Sequence, residues 1–184
     1  IKDRKVFVAG AVGPTSKTAS ISPKIEDGSL RNTSFDELKD SYKEQIKGLV
    51  EGGCHLIFIE TIFDTLNAKS AAFAYEEFFE ESGRKKLPLV ISGTIVDMSG
   101  RTLSGQTTEA FYISLAHTNP FCIGLNCALG PDQMYGFLER LSNIADCYVH
   151  AYPNAGLPNA MGEYDLSTEE FANKVRNLDR KSVV

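Results

Sequence analysis

The chain of 184 residues is long enough for one domain with a hydrophobic core. Its composition, 42% apolar and 23% charged, is typical of a globular protein, and no apolar stretch approaches the roughly 20 residues of a membrane span. The net charge of −5 comes without a basic run, which disfavours nucleic acid and anionic membrane surfaces as partners.

Short apolar runs predict five strands in chain order. Each run is continuous rather than alternating, which is typical of strands buried on both faces of a parallel sheet. The predicted strands are residues 6–9, 56–59, 87–91, 121–125 and 147–151.

Helix signals stand between and after these strands. Two capping boxes, a first-turn proline and apolar residues at helical spacing predict five helices. In chain order the signals are the capping box 34–37, the stripe 68–79, the helix 107–117, Pro131, and the capping box 167–170.

Alternation of strands and helices predicts an α/β fold with a parallel sheet. An open doubly wound sheet is disfavoured because residues 10–14 do not form G-x-G-x-x-G and no helix follows them. Polar or glycine-rich residues follow every strand, as in a (β/α)8 TIM barrel. A whole barrel needs about 250 residues, so we expect an incomplete barrel and therefore a fragment. The long segment 13–33 is predicted to be a functional loop.

Cys127 is the strongest candidate for a nucleophile or a metal ligand. It follows the predicted strand 121–125 through Asn126, where a thiol at a barrel mouth can serve as a nucleophile or metal ligand. The alternative is a small buried hydrophobe, which is our interpretation of Cys54, Cys122 and Cys147. The absence of C-x-x-C spacing and of a signal peptide predicts reduced thiols and a cytoplasmic protein.

Glu60 ends the second strand, where a carboxylate can pair with a substrate ammonium; a solvated strand end or an internal ion pair is the alternative. Asp64 and Asp97 are predicted to begin turns or helices. The histidines lack metal-ligand spacing, and His55 and His150 are predicted to be structural. From the residues alone, the sequence offers one thiolate ligand and no complete metal site.

Six stretches, taken together, resemble the homocysteine-binding domain of the cobalamin-dependent methionine synthases. The resemblance covers about residues 5–178, and it is the joint occurrence of the stretches that is specific. The stretches are residues 8–15, 59–65, 92–97, 99–106, 124–130 and 152–159.

This resemblance implies a zinc-dependent homocysteine S-methyltransferase barrel, of which the chain covers about strands three to seven. Glu60 matches the carboxylate that holds the substrate amino group, and Ser92, Thr94 and Asn126 are expected to bind homocysteine. Cys127 matches the zinc ligand of the family's Gly-x-Asn-Cys motif. The other two zinc ligands form a Cys-Cys pair that this sequence lacks, and the aspartate usually found near the first strand is also missing. No catalytic residue beyond the zinc site is expected.

In the family the methyl group comes from methylcobalamin, which another domain binds and which methyltetrahydrofolate recharges. The resemblance therefore implies homocysteine, zinc and cobalamin as ligands, with cobalamin and methyltetrahydrofolate domains elsewhere in the full-length chain. The chain alone is expected to be inactive. Residues 179–184 have no counterpart in the family and are expected to be an artefactual tail that follows the partial barrel of residues 1–178.

Two alternatives stay open. One is a cobalamin-independent homocysteine S-methyltransferase that uses betaine or S-methylmethionine as its methyl donor. The other is a binding module without catalysis, which the missing Cys-Cys pair suggests. Residues 99–106 and 152–159 favour the cobalamin enzyme.

Overall fold

The computed structural model describes residues 4–156 and 158–182. Strands and helices alternate along the described chain. The strands are β1 (Ala9–Val12), β2 (Leu56–Ile62), β3 (Leu89–Gly93), β4 (Cys122–Asn126) and β5 (Tyr148–Tyr152). The helices are α1 (Phe35–Glu51), α2 (Thr65–Ser82), α3 (Thr108–Leu115), α4 (Pro131–Ile144) and α5 (Thr168–Ser182), with a 3-10 helix at Ala116–Thr118.

The strands form one parallel sheet in the order β1-β2-β3-β4-β5. A doubly wound sheet reverses its strand order at a switch point, whereas this order follows the chain throughout. Sequential parallel strands joined by helices are the arrangement of a (β/α)8 barrel. The five strands therefore confirm the predicted α/β fold as part of such a barrel.

The sheet curves as a barrel wall does. The rings of Phe58 on β2 and His150 on β5 meet edge to face with centroids 5.3 Å apart. These strands are separated by three strand spacings, about 14 Å in a flat sheet. Gly124 on β4 leaves room for the histidine, since a Cβ there would lie 2.5 Å from the His150 Cδ2 atom. The inner face is therefore concave.

The outer face of the sheet carries the hydrophobic core. Alternate strand residues pack against the helices and are almost fully buried, among them Ile57, Ile59, Ile91, Ile123 and Leu125. From the helix side, α1 contributes Leu38, Tyr42 and Ile46 at helical spacing. No helix in residues 4–156 and 158–182 is long and apolar enough to cross a membrane.

Both predicted capping boxes are confirmed. The Ser34 side chain accepts from the Glu37 backbone N–H while the Glu37 carboxylate accepts from the Ser34 N–H. Ser167 and Glu170 make the same exchange at the start of α5. Each box satisfies backbone donors that the first helical turn leaves free.

The other helix signals are also confirmed, with one difference in extent. Asp64 caps α2, which ends at Gly83 with φ 62°, and Pro131 lies in the first turn of α4. The third helix is divided: α3 ends at Leu115 and continues only as the 3-10 helix. The segment ahead of Pro120 is thus tighter than predicted.

The first predicted strand, residues 6–9, is wrong by three residues. β1 begins at Ala9, because pairing with β2 runs from Ala9–Leu56 to Val12–Ile59. Val6, Phe7 and Val8 are 70%, 65% and 54% exposed. β2 begins where predicted and ends three residues later. β3, β4 and β5 are displaced by one or two residues toward the carboxyl end, which brings Ser92 and Asn126 inside strands.

Candidate active site at the carboxyl ends of the strands

The five residues predicted from the sequence all lie at the carboxyl end of the sheet. Glu60 is a half-buried residue of β2, and Ser92 is a fully buried residue of β3. Thr94 follows β3 directly, Asn126 is the last residue of β4, and Cys127 comes next, half-buried. This is the end of the barrel where active sites form.

The backbone at this end is strained. Thr61, Cys127 and Ala128 have φ values of 59°, 61° and 56°, in the left-handed region that favours glycine. The register between β2 and β3 also shifts between Ile59 and Ile62, so that Glu60 lies in an irregular part of its strand. Such strain costs about 1–3 kcal/mol per residue and concentrates at functional sites.

Asn126 joins β2 to Cys127. Its Oδ1 accepts from the Thr61 backbone N–H at 3.1 Å, and its Nδ2 donates to the Thr61 Oγ1 at 2.9 Å. Nδ2 also donates to the Cys127 Sγ at 2.9 Å. Thr61 is not among the site residues predicted from the sequence, because no residue pattern indicates a threonine with a left-handed backbone.

Two hydroxyl groups at the site have no hydrogen-bond partner among the described residues. The Ser92 Oγ and Thr94 Oγ1 atoms are buried, and neither hydrogen-bonds to any residue that the structure describes. A buried hydroxyl without a partner costs about 1–3 kcal/mol. Polar groups of a bound ligand or water would remove that cost, which suits both residues to ligand binding.

His150 lies on the inner face, in the same row of paired strand residues as Ser92. It is paired in register with Gly124, which is itself paired with Ser92. Burial lowers the pKa of His150, so the ring is neutral at pH 7, and its Nε2 atom has no hydrogen-bond partner within the described part of the chain. The histidine and Phe58 form an edge-to-face aromatic pair on the inner face beside the site.

The loops around the site are held by specific hydrogen bonds. The segment 13–33, predicted to be a functional loop, docks on α2: the Ala19 N–H donates to Asn67 Oδ1 and the Ser20 N–H to Asp64 Oδ2. On the other side, Ser104 donates through its N–H and its hydroxyl to the Phe63 carbonyl, both at 3.0 Å. Both loops therefore flank the carboxyl end of β2.

The residues at this site do not form a metal site by themselves. Across residues 4–156 and 158–182, no group of three His, Cys, Asp or Glu side chains could hold a metal ion. Cys127 is a soft donor suited to zinc, but a catalytic zinc site normally needs three protein ligands. Any metal here needs ligands in addition to those described.

Known structures share this fold. The apo form of the homocysteine methyltransferase MmuM from Escherichia coli matches with a TM-score of 0.63 and 19% identity over 82% of this chain and 50% of that one. Its metallated form gives a TM-score of 0.63 and 20% identity, over 82% of this chain and 49% of that one. The chain spans about half the length of these structures.

The sequence itself matches a family model. The model for homocysteine S-methyltransferase aligns with residues 1–184, and so includes all the strands that carry the site. The chain belongs to the homocysteine S-methyltransferase family.

Proposed function

We propose that the chain is the part of a cobalamin-dependent methionine synthase that binds homocysteine, covering about strands three to seven of the barrel. The observation that carries the proposal is the gathering of Glu60, Ser92, Thr94, Asn126 and Cys127 at the carboxyl end of one curved parallel sheet. Membership of the homocysteine S-methyltransferase family supports homocysteine as the substrate. Residues 99–106 and 152–159 favour the cobalamin enzyme over its relatives.

Glu60, Ser92 and Thr94 have chemical roles in this proposal. The Glu60 carboxylate pairs with the ammonium of homocysteine, a charge-assisted contact. The free hydroxyls of Ser92 and Thr94 donate to polar atoms of the amino acid. The edge-to-face pair of Phe58 and His150 limits how deeply the substrate enters the barrel.

Cys127 is proposed as a zinc ligand. Zinc bound at the site would deprotonate the substrate thiol and so provide the nucleophile that accepts the methyl group. The described residues supply one soft ligand, so the remaining ligands are proposed to be a Cys-Cys pair elsewhere in a longer protein. The chain of 184 residues alone is expected to retain little zinc and to be inactive.

The methyl donor and further domains belong to the same proposal. Methylcobalamin, bound by another domain and recharged from methyltetrahydrofolate, would deliver the methyl group to the carboxyl end of the sheet. The protein would work in the cytoplasm.

A donor assay tests this function. The full-length protein is incubated with homocysteine and methylcobalamin, S-methylmethionine or betaine, and methionine is measured. We expect methionine only when methylcobalamin is the methyl donor. Methionine from betaine or S-methylmethionine instead would identify the cobalamin-independent alternative, and homocysteine binding without any methionine would identify a binding module.

A further inference from the structure

The amide of Asn126 is engaged at both ends within the protein. The Thr61 backbone N–H can only donate, so it fixes the amide oxygen on its side and turns the amide nitrogen toward Thr61 Oγ1 and Cys127 Sγ. Both N–H groups of the amide therefore have partners. Asn126 is 2% exposed, and neither N–H group of its amide is left free for a ligand.

The contact with Thr61 spans an intervening strand. Asn126 is on β4 and Thr61 on β2, and β3 lies between them in the sheet. Two strand spacings are about 9.6 Å, so the bond depends on the curvature of the sheet and on the left-handed turn at Thr61. Glu60 immediately precedes that turn, so its backbone is held from β4.

The third contact fixes the direction of a neighbouring side chain. Cys127 has a left-handed backbone, and its sulfur turns back onto the amide of the preceding residue at 2.9 Å. The amide of Asn126 thus holds both strained turns, the one next to the Glu60 carboxylate and the one that carries the Cys127 thiol.

We propose that Asn126 is a positioning residue that keeps Glu60 and Cys127 in one fixed arrangement and does not itself contact homocysteine. The proposal rests on the proposed function only in naming homocysteine as the ligand. It assigns Asn126 a different part from Ser92 and Thr94, whose hydroxyls are free to meet a ligand.

Asn126→Asp distinguishes the contact with Thr61 from the contact with Cys127. The new carboxylate keeps an oxygen that accepts from the Thr61 N–H, but it has no N–H group to donate to the Cys127 Sγ. In the full-length protein stripped of metal, iodoacetamide labelling of each cysteine is followed by peptide mass spectrometry. We expect the labelling rate of Cys127 to change by at least about 10-fold, because the sulfur is no longer held against the amide and its access to the reagent changes. In a crystal structure of the wild-type protein with homocysteine bound, no homocysteine atom should lie within about 4 Å of the Asn126 side chain.

Buried Cys122 reports whether the protein stays folded, because burial raises the pKa of its thiol to about 11 and keeps it unreactive. Thr61→Val is the matched control: it removes the Oγ1 acceptor but keeps the backbone N–H, so Cys127 should react within about 2-fold of wild type. If Asn126→Asp makes Cys122 reactive, Asn126→Ser is used in its place. Serine is neutral and too short to reach the sulfur, so the labelling rate of Cys127 should again change.

Two results would overturn the proposal. One is wild-type labelling of Cys127 in the folded variant. The other is a direct contact between homocysteine and the Asn126 amide in that crystal structure. If the wild-type protein binds no homocysteine, the proposed function fails, while the labelling comparison still decides whether Asn126 positions Cys127.

Discussion

The two faces of the sheet differ in chemistry although the same strands build both. The outer face is aliphatic, and Ile57, Ile91 and Ile123 are completely buried beneath the helices. The inner face carries Ser92 and His150, each with a polar atom that no described residue satisfies. Alternation along each strand places these opposite environments one residue apart.

The difference separates stability from binding. Burial of a large aliphatic side chain contributes about 1.5–3 kcal/mol, so the outer face stabilises the fold. The inner face and the strand ends spend part of that energy on left-handed turns and unsatisfied hydroxyls. Substitutions on the two faces should therefore have different consequences.

Cys127→Ser should give the largest loss of function at the strand ends. In the full-length protein we expect methyl transfer to fall by more than about 100-fold, since loss of a proposed ligand should exceed the 10–100-fold effect of its supporting residues. The melting temperature should stay nearly constant, because the two side chains are close in size and the site is half-buried. Normal zinc content and a normal rate of methyl transfer in the variant would show that Cys127 only packs against its neighbours.

Glu60→Gln should weaken homocysteine binding by about 10- to 100-fold, because a hydrogen bond to a charged group is worth about 1.5–3 kcal/mol. Isothermal titration calorimetry measures the change. The matched control is Glu80→Gln, which alters an exposed carboxylate on α2 and should leave affinity unchanged. Equal affinities of all three proteins would reject the pairing of Glu60 with the ammonium.

Gly124→Ala tests how closely the inner face is packed. The added Cβ would lie 2.1 Å from the His150 carbonyl oxygen, so β4 and β5 must separate. We expect a loss of about 1–3 kcal/mol or more in the free energy of unfolding, measured by urea denaturation. In Gly136→Ala, within α4, the new methyl group meets nothing within 4 Å, and helix propensity should stabilise that variant by about 0.5–1 kcal/mol. Equal stabilities of the two variants would contradict the packing of His150 over Gly124.

The smallest effect is a dependence of stability on pH. Burial lowers the pKa of His150 below 6.5, so the unfolded chain binds a proton at a pH where the folded chain does not. The stabilisation is complete above pH 6.5 and decreases as the pH falls toward the folded pKa. Wild type should therefore lose more stability between pH 7.5 and 5.5 than His150→Gln, as measured by urea midpoints. Parallel pH profiles would show that the imidazole is solvated.

Much of this molecule could be predicted from its sequence because local signals agree with the fold. Ser34, Asp64 and Pro131 begin helices where capping rules place them. Continuous apolar runs located β2, β3, β4 and β5. The run 6–9 overlaps β1 only at Ala9, because its first three residues are exposed instead of paired. The bond between Thr61 and Asn126 could not be predicted, since it depends on sheet curvature and on backbone angles that no residue type specifies.

A crystal structure of the full-length protein with homocysteine bound tests the central claim most directly. We predict the ammonium of homocysteine beside the Glu60 carboxylate and its sulfur near Cys127, at the carboxyl end of β4. Homocysteine bound elsewhere, for example in the groove of about 800 Å³ lined by Phe73, Lys86 and Phe121, would contradict the account.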